Sequence, residues 1–297
     1  MISVIIPTRN RPELLKNLVN LLLSFDLGPL EIIVVDSSDA SKQISDFRNN
    51  PNVKILFTTL KSAAMQRNIG LDYVENSDYV FFLDDDVVPS YTYFADCLMH
   101  LKRKELVGVS GVAWNAHAEQ RTFPAGSIGF FQKIFLLDSK RDGILLKSGV
   151  NIPVRNLGGT SQIVEWLIGC SGWKANFIGS TRFEPDFLGQ SLGEDVIFSI
   201  RMGKKGHLLT DPSIVLEHFE SEIERPDKKE FWRMWVVNRK RLIEVAEFGL
   251  KGELAFWWAN FGQLIILTYS KIRNSNSQRG AVYGFFIGCI EVLRGKN

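Results

Sequence analysis

Tyr79-Val80-Phe81-Phe82-Leu83-Asp84-Asp85-Asp86 sets five apolar residues directly against three carboxylates. The apolar run is too short for a helix and ends in charge, which reads as a buried strand reaching a polar rim. Adjacent carboxylates repel one another, and at a buried edge a cation or hydrogen-bond donors must neutralise them. Hard oxygen donors favour Mg2+ or Mn2+, which keep waters and share their shell with phosphates. A solvated acidic cap on a following helix is the other reading of the same triplet.

Upstream, apolar runs alternate with helical stripes. Ser3 to Ile6, Leu30 to Val35 and Val53 to Phe57 are strand candidates. A helix carries Pro12 in its first turn and Leu14, Leu15, Leu18, Val19 and Leu22 on one face, and a second spans Ser62 to Val74. Continuous apolar strands between helices predict an α/β fold with a mostly parallel sheet covered on both faces. Ligands in such sheets lie beyond the carboxyl ends of the strands. Polar residues fall there: Thr8, Arg9 and Asn10 after the first strand, Asp36-Ser37-Ser38 after the second. The turn Thr8-Arg9-Asn10-Arg11-Pro12 has no glycine, which excludes a dinucleotide-binding dehydrogenase, and there is no P-loop. A diphosphate would have to be held by metal and side chains.

The second half is less regular. Val107 to Val112 and Ile163 to Ile168 read as strands around a glycine-rich stretch. Gly193-Glu194-Asp195 opens a helix that runs to Lys205 and stops at Gly206. First-turn carboxylates favour the helix dipole, so capping explains them. The alternative makes Asp195 a general base, one that takes a proton from an attacking hydroxyl. Three more helices are expected, at about Lys228 to Phe248, Glu253 to Lys271 and Arg279 to Leu293.

In their order along the chain, Val4-Ile5-Ile6-Pro7-Thr8-Arg9-Asn10, Ile33-Val34-Val35-Asp36-Ser37-Ser38, Ala64-Met65-Gln66-Arg67-Asn68-Ile69-Gly70, Phe82-Leu83-Asp84-Asp85-Asp86-Val87-Val88-Pro89 and Gly193-Glu194-Asp195 resemble the family 2 glycosyltransferases of the GT-A fold. The resemblance covers roughly residues 1 to 220. It implies an inverting, metal-dependent transferase that moves a sugar from a nucleotide diphosphate to an acceptor hydroxyl. A degenerate protein of the same fold, binding sugar nucleotides or acting as a scaffold, is the alternative. Thr8 and Asp36 then resemble the positions that hold base and ribose, with Asn10 and Asp85 also on the donor side. Arg67 resembles the basic residue near the donor's phosphates or sugar. Asp84 and Asp86 are similar to the outer members of the D-x-D motif, Asp86 being the direct ligand of Mg2+ or Mn2+, and Asp195 resembles the catalytic base. His218 stands where some relatives add a metal ligand, or is a packed strand residue. Glu194 and Trp173 are placed on the acceptor side, though Trp173 would serve equally as a core aromatic. Phe183-Glu184-Pro185-Asp186 departs from the family's Phe-Asp-Glu stretch at the acceptor loop.

The expected domains are residues 1–224, divided into a nucleotide-sugar half at 1–106 and an acceptor half at 107–224, and a helical extension at 225–297. The extension holds 13 Lys or Arg against 6 Asp or Glu, while the chain as a whole carries a net +2. An acidic body and the absence of any phosphate-reading module argue against a nucleic-acid partner. Cys97, Cys170 and Cys289 show neither zinc spacing nor a disulfide framework. The chain opens on a strand-like run instead of a signal peptide, so the expected location is cytoplasmic. Leu254 to Tyr269 makes a helix of about 24 Å, short of a hydrocarbon core of about 30 Å. It reads as an interfacial helix with Trp257 and Trp258 at headgroup level and Lys251, Lys271 and Arg273 beside it, or as a packed helix. The tail, with Asn238-Arg239-Lys240-Arg241, is similar to that of bacterial family 2 enzymes that build lipid-linked surface polysaccharide. That likeness implies a glycan or lipid-linked acceptor and peripheral contact with the cytoplasmic membrane face through 251–297.

Overall fold

A computed structural model describes residues 1–28, 30–44, 46–114, 127–155, 159–185, 192–219, 227–273 and 279–295, without the side chains of 114, 127, 128, 270–273 and 279. The elements begin with β1 (Ile2–Thr8), α1 (Pro12–Ser24), β2 (Leu30–Asp36), β3 (Val53–Phe57), α2 (Ala63–Asp72) and β4 (Tyr79–Phe82). They continue with β5 (Val87–Pro89), α3 (Tyr93–Leu101), β6 (Leu106–Trp114), α4 (Ser127–Ile134), β7 (Ile144–Leu145), β8 (Asn151–Ile152), β9 (Gln162–Val164), β10 (Ser171–Lys174) and α5 (Ala175–Ile178). Last come α6 (Glu194–Gly203), β11 (His207–His218), α7 (Lys228–Val245), α8 (Gly249–Arg273) and α9 (Arg279–Leu293).

The main sheet runs β3-β2-β1-β4-β10-β6-β11-β5, with β9 also on β11. Its first four strands pair in parallel, as continuous apolar runs between helices require. The predicted α/β class holds. Leu15, Leu18, Val19 and Leu22 of α1 share one core cluster with Val4, Ile6, Ile32 and Val34 of the sheet. Each such leucine, fully buried, contributes roughly 1.5–3 kcal/mol.

The short strands β5, β7 and β8 and the helices α3, α4 and α5 were not foreseen, and two strands of the main sheet differ most. The strand foreseen over Ile163 to Ile168 is only β9, and the sheet position goes to β10, antiparallel to both β4 and β6. β11 was not foreseen because Pro212 falls inside it, and proline removes a ladder hydrogen bond. The strand absorbs it in a register shift against β6 between Thr210 and Val215.

Contacts divide the chain into residues 1–119 with 154–221, and residues 120–153 with 222–297. The segment 120–153 thus clusters with the tail, although its sequence position suggested the acceptor half. The expected boundary at 224/225 lies outside the described residues.

In the second unit, Asp227 caps α7 by accepting from the Glu230 N–H at 2.7 Å. Val236, Ile243, Phe256, Leu267, Phe285 and Val292 form its core. α9 lies close on α7, because a Cβ at Gly284 would stand 1.8 Å from the Lys229 carbonyl oxygen. Arg239, expected in a basic cluster, is instead 3% exposed. Its Nε and Nη2 donate to the Ser148 carbonyl at 3.2 and 2.7 Å, and its Nη1 donates to Asn260 Oδ1 at 2.9 Å. The guanidinium lies 3.9 Å from the Trp235 ring centroid. Burial pushes its pKa down to about 9.

Candidate active site

The carboxyl ends of β1, β2 and β4 bring three polar turns together in the first unit. Asn10, in the left-handed region at φ 57°, joins two of them. Its N–H donates to Ser38 Oγ at 2.6 Å, and its Oδ1 accepts from the Asp39 N–H at 3.0 Å. Asp36 is 1% exposed and folds its own turn by accepting from the Ser38 N–H at 2.7 Å and the Ile44 N–H at 3.3 Å. Below them, the buried Gln66 amide of α2 donates to the carbonyls of Thr8 and Val35 at 2.8 and 2.6 Å, fixing the ends of β1 and β2.

The acidic triplet after β4 is divided between two arginines. Arg11 donates to Asp85 Oδ1 at 2.9 Å and to Asp86 Oδ2 at 3.0 Å, and Thr8 Oγ1 donates to Asp85 Oδ2 at 2.6 Å. Arg67, 2% exposed, donates to Asp84 Oδ1 at 2.6 Å and to Glu194 Oε1 at 2.5 Å. Arg67 therefore ties the acidic turn to the first residue of α6. Beyond its register shift against β6, β11 also pairs with β5, His218 opposite Val87. That register sets His218 Nε2 3.1 Å from Asp86 Oδ1. Ligand atoms of Asp84, Asp86 and His218 all lie within 4.8 Å of one another.

Burial pushes Asp85 up to about 6 against the pull of Arg11 and Thr8. Burial acts likewise on Asp86, but the hydrogen bond from His218 and the charges of His218 and Arg11 outweigh it, and the carboxyl is held low. Burial would depress Arg67, yet Asp84 and Glu194 hold it above its ordinary value. Glu194 and Asp195 are both raised, first by burial and against the opposing charge of Arg67, with Asp84 adding to the rise at Asp195.

The site thus gathers Thr8, Asn10, Asp36, Arg67, Asp84, Asp85, Asp86, Glu194, Asp195 and His218 in one unit. Among the described residues, Arg11 pairs with Asp85 and Asp86 and Arg67 with Asp84 and Glu194, and Arg67 also acts on Asp195. Five carboxyl groups thus share these two guanidinium ions, and further positive charge is favoured here. Two carboxylates and an imidazole are a fitting donor set for Mn2+ or Mg2+.

Two acceptor-side expectations are corrected. Trp173 is 1% exposed. Its ring fills the space left by Gly108, where a Cβ would stand 2.5 Å from it, and meets Phe198 edge-on at 5.0 Å. Its Nε1 donates to Ser171 Oγ at 2.9 Å, so no face is open to a sugar. Glu194 is 6% exposed and occupied with Arg67, which leaves it a clamp on that guanidinium and no surface for an acceptor. Arg11, Gln66 and Ser38 were missed. The signal for Arg11 was its place in a glycine-free turn facing three aspartates; Gln66 and Ser38 stood inside quoted motifs but bond to backbone, which spacing does not reveal.

A parallel α/β sheet whose strand ends collect carboxylates, with an antiparallel strand between its two parallel parts, defines the class as the GT-A fold of sugar-transferring enzymes. The family model described as Glycosyl transferase family 2 matches residues 3–155, just over half of the chain, and the chain belongs to that family. No curated protein sequence gives a significant match. Among solved structures, the chain is similar to the mannosyltransferase PcManGT from Pyrobaculum calidifontis in complex with GDP-Man and Mn2+, at TM-score 0.59 and 14% identity over 100% of this chain and 88% of that one. It is similar to S. aureus TarS 1-349 in complex with UDP-GlcNAc at TM-score 0.54 and 14% identity, covering 99% of this chain and 92% of that one. Against S. aureus TarS it scores 0.53 at 15% identity; 83% of this chain is covered, spanning only 42% of that one. At such identities the likeness shows the fold alone.

Proposed function

We propose that this chain transfers a sugar from a nucleotide diphosphate to an acceptor hydroxyl with inversion at the anomeric carbon, Asp195 serving as the base. One observation carries the reading: Arg67 bonds both Asp84 of the acidic turn and Glu194, the neighbour of Asp195. That link supports a site bordered by both the base and the cation-holding edge, as a displacement between them requires. Nucleotide sugars and Mn2+ in the similar structures support the donor class and the metal.

Asp84, Asp86 and His218 would hold the divalent cation, with Mn2+ favoured over Mg2+ by the imidazole. Bound there, the cation would supply charge to a departing diphosphate. Thr8, Asn10, Asp36, Arg67, Asp84 and Asp85 form the donor side. Asp195 takes the proton as the acceptor oxygen bonds to the anomeric carbon and the carbon–phosphate-oxygen bond breaks. A glycan or lipid-linked glycan of a surface polysaccharide is the proposed acceptor, reached at the cytoplasmic membrane face through 251–297. The domain division at 224/225 belongs to the same proposal. Presence of all of Asp84, Asp86 and Asp195 speaks against a degenerate scaffold.

The test is Asp195→Asn. Transfer should fall on the order of 10²–10⁴-fold while Mn2+-dependent binding of the nucleotide diphosphate is retained. Transfer at the parent rate would refute the base.

A further inference from the structure

α8 is apolar on both faces: Phe256, Ala259 and Leu267 are buried in its own unit, and a second apolar stripe faces out. Its amide Asn260 is 3% exposed and bonded to Arg239, while Leu250, Leu254, Trp258, Phe261, Ile265 and Tyr269 are between 45% and 74% exposed. Their spacing of three and four residues puts them on a single stripe along the helix. α9 repeats the pattern: Tyr283, Phe286, Ile290 and Leu293 face out, while its glycines lie on α7. α4 of the same unit adds exposed Phe130, Phe131 and Ile134, joined to the stripe where Trp258 Nε1 donates to the Ile134 carbonyl at 2.8 Å. A water-facing surface would invert this arrangement, and contiguous apolar patches of this kind mark contact sites.

Charge identifies the occupant. Among the described residues, the exposed charges on α4 and α8 are Lys133 and Lys251, and Arg294 follows directly after α9. The carboxylates of these helices, Glu253 and Glu291, are part-exposed and already paired with Lys240 and Arg233. Two copies of this face packed together would bring Lys133, Lys251 and Arg294 towards one another, while the carboxylates of α8 and α9 are already engaged. An anionic bilayer supplies both an apolar phase for the stripes and the counter-charge. No described helix is long and apolar enough to cross a membrane, which fits helices lying in the interface plane.

We propose that α8, α9 and α4 form a docking face for an anionic lipid surface, with Leu254, Trp258, Phe261 and Ile265 entering the headgroup–acyl boundary. This deepens the membrane contact proposed above and corrects one detail of it. Trp258 faces outward, whereas Trp257 packs against the core of its own unit.

The experiment is co-sedimentation of the full chain with vesicles of phosphatidylcholine, alone or mixed with phosphatidylglycerol. The parent should bind the mixed vesicles more strongly. Leu254→Glu combined with Ile265→Glu should weaken that binding on the order of tenfold or more. Both positions face solvent, so the melting temperature should hold; should that variant fail to fold, Lys133→Glu with Lys251→Glu tests the charge instead. Failure of the parent to bind mixed vesicles, or unchanged binding by the folded variants, overturns the proposal. A parent dimer that the apolar variant makes monomeric also overturns it, naming a second copy as the occupant. Donor hydrolysis without vesicles is followed on the same preparations, so lipid binding without hydrolysis would leave this face standing and sink the catalytic reading.

Discussion

Asp195 and Arg67 carry the sharpest expectations at the scale of single residues. A base must be unprotonated, and burial raises the pKa of Asp195, so kcat/KM should rise with pH through a value above the ordinary carboxylate range near ~4. A rate that stays flat on acidification to that range would deny Asp195 the role. Arg67→Met leaves Asp84 and Glu194 without their cation. It should cost about 3–5 kcal/mol in urea denaturation at neutral pH. Trp173→Ala should cost about 3–5 kcal/mol from the cavity it leaves, with acceptor KM unchanged where the protein stays folded. The residues read from sequence were those with a positional signature: Thr8, Asp36, Asp84 and Asp86 each interrupt an apolar pattern at a strand end. Which cation each carboxylate meets was not legible, because Arg11 lies 74 and 75 positions from its partners. Trp173 misled because a tryptophan beside glycines suits a sugar platform and a tight core slot alike.

Elements were legible where one periodicity ruled. α9 matches its expected bounds, and β1 to β4 follow their apolar runs closely. β11 was hidden by a proline that a register shift accommodates, and β10 by its small, polar composition of Ser171-Gly172-Trp173-Lys174. α9 also offers an element-scale test. Gly284→Ala places a methyl group against the α7 backbone, where helices must part. A loss of at least about 1–3 kcal/mol is expected in thermal melting, and an unchanged melt would mean that the two helices are not so closely apposed.

For the molecule as a whole, cation binding and folding are linked. At about a hundredfold its Kd, Mn2+ should add about 2.7 kcal/mol to stability, a gain that Asp86→Ala or His218→Ala should largely remove. Equal stabilisation of parent and variants would place the ion elsewhere. The parallel character of the first strands was implicit in the sequence, but their order and the affiliation of residues 120–153 with the tail were not, since both join segments apart in the chain. That affiliation has a practical side for anyone trimming the protein. The Ser148 carbonyl is gripped by Arg239, and Phe135 lies 5.0 Å from Trp258. Cutting the polypeptide after residue 225 would not lift off a detachable appendage; it would leave an internal loop with its greasy side bare and its anchor gone. A shortened enzyme should therefore be recovered as aggregate, and soluble material would come only from excising the internal segment together with the terminus.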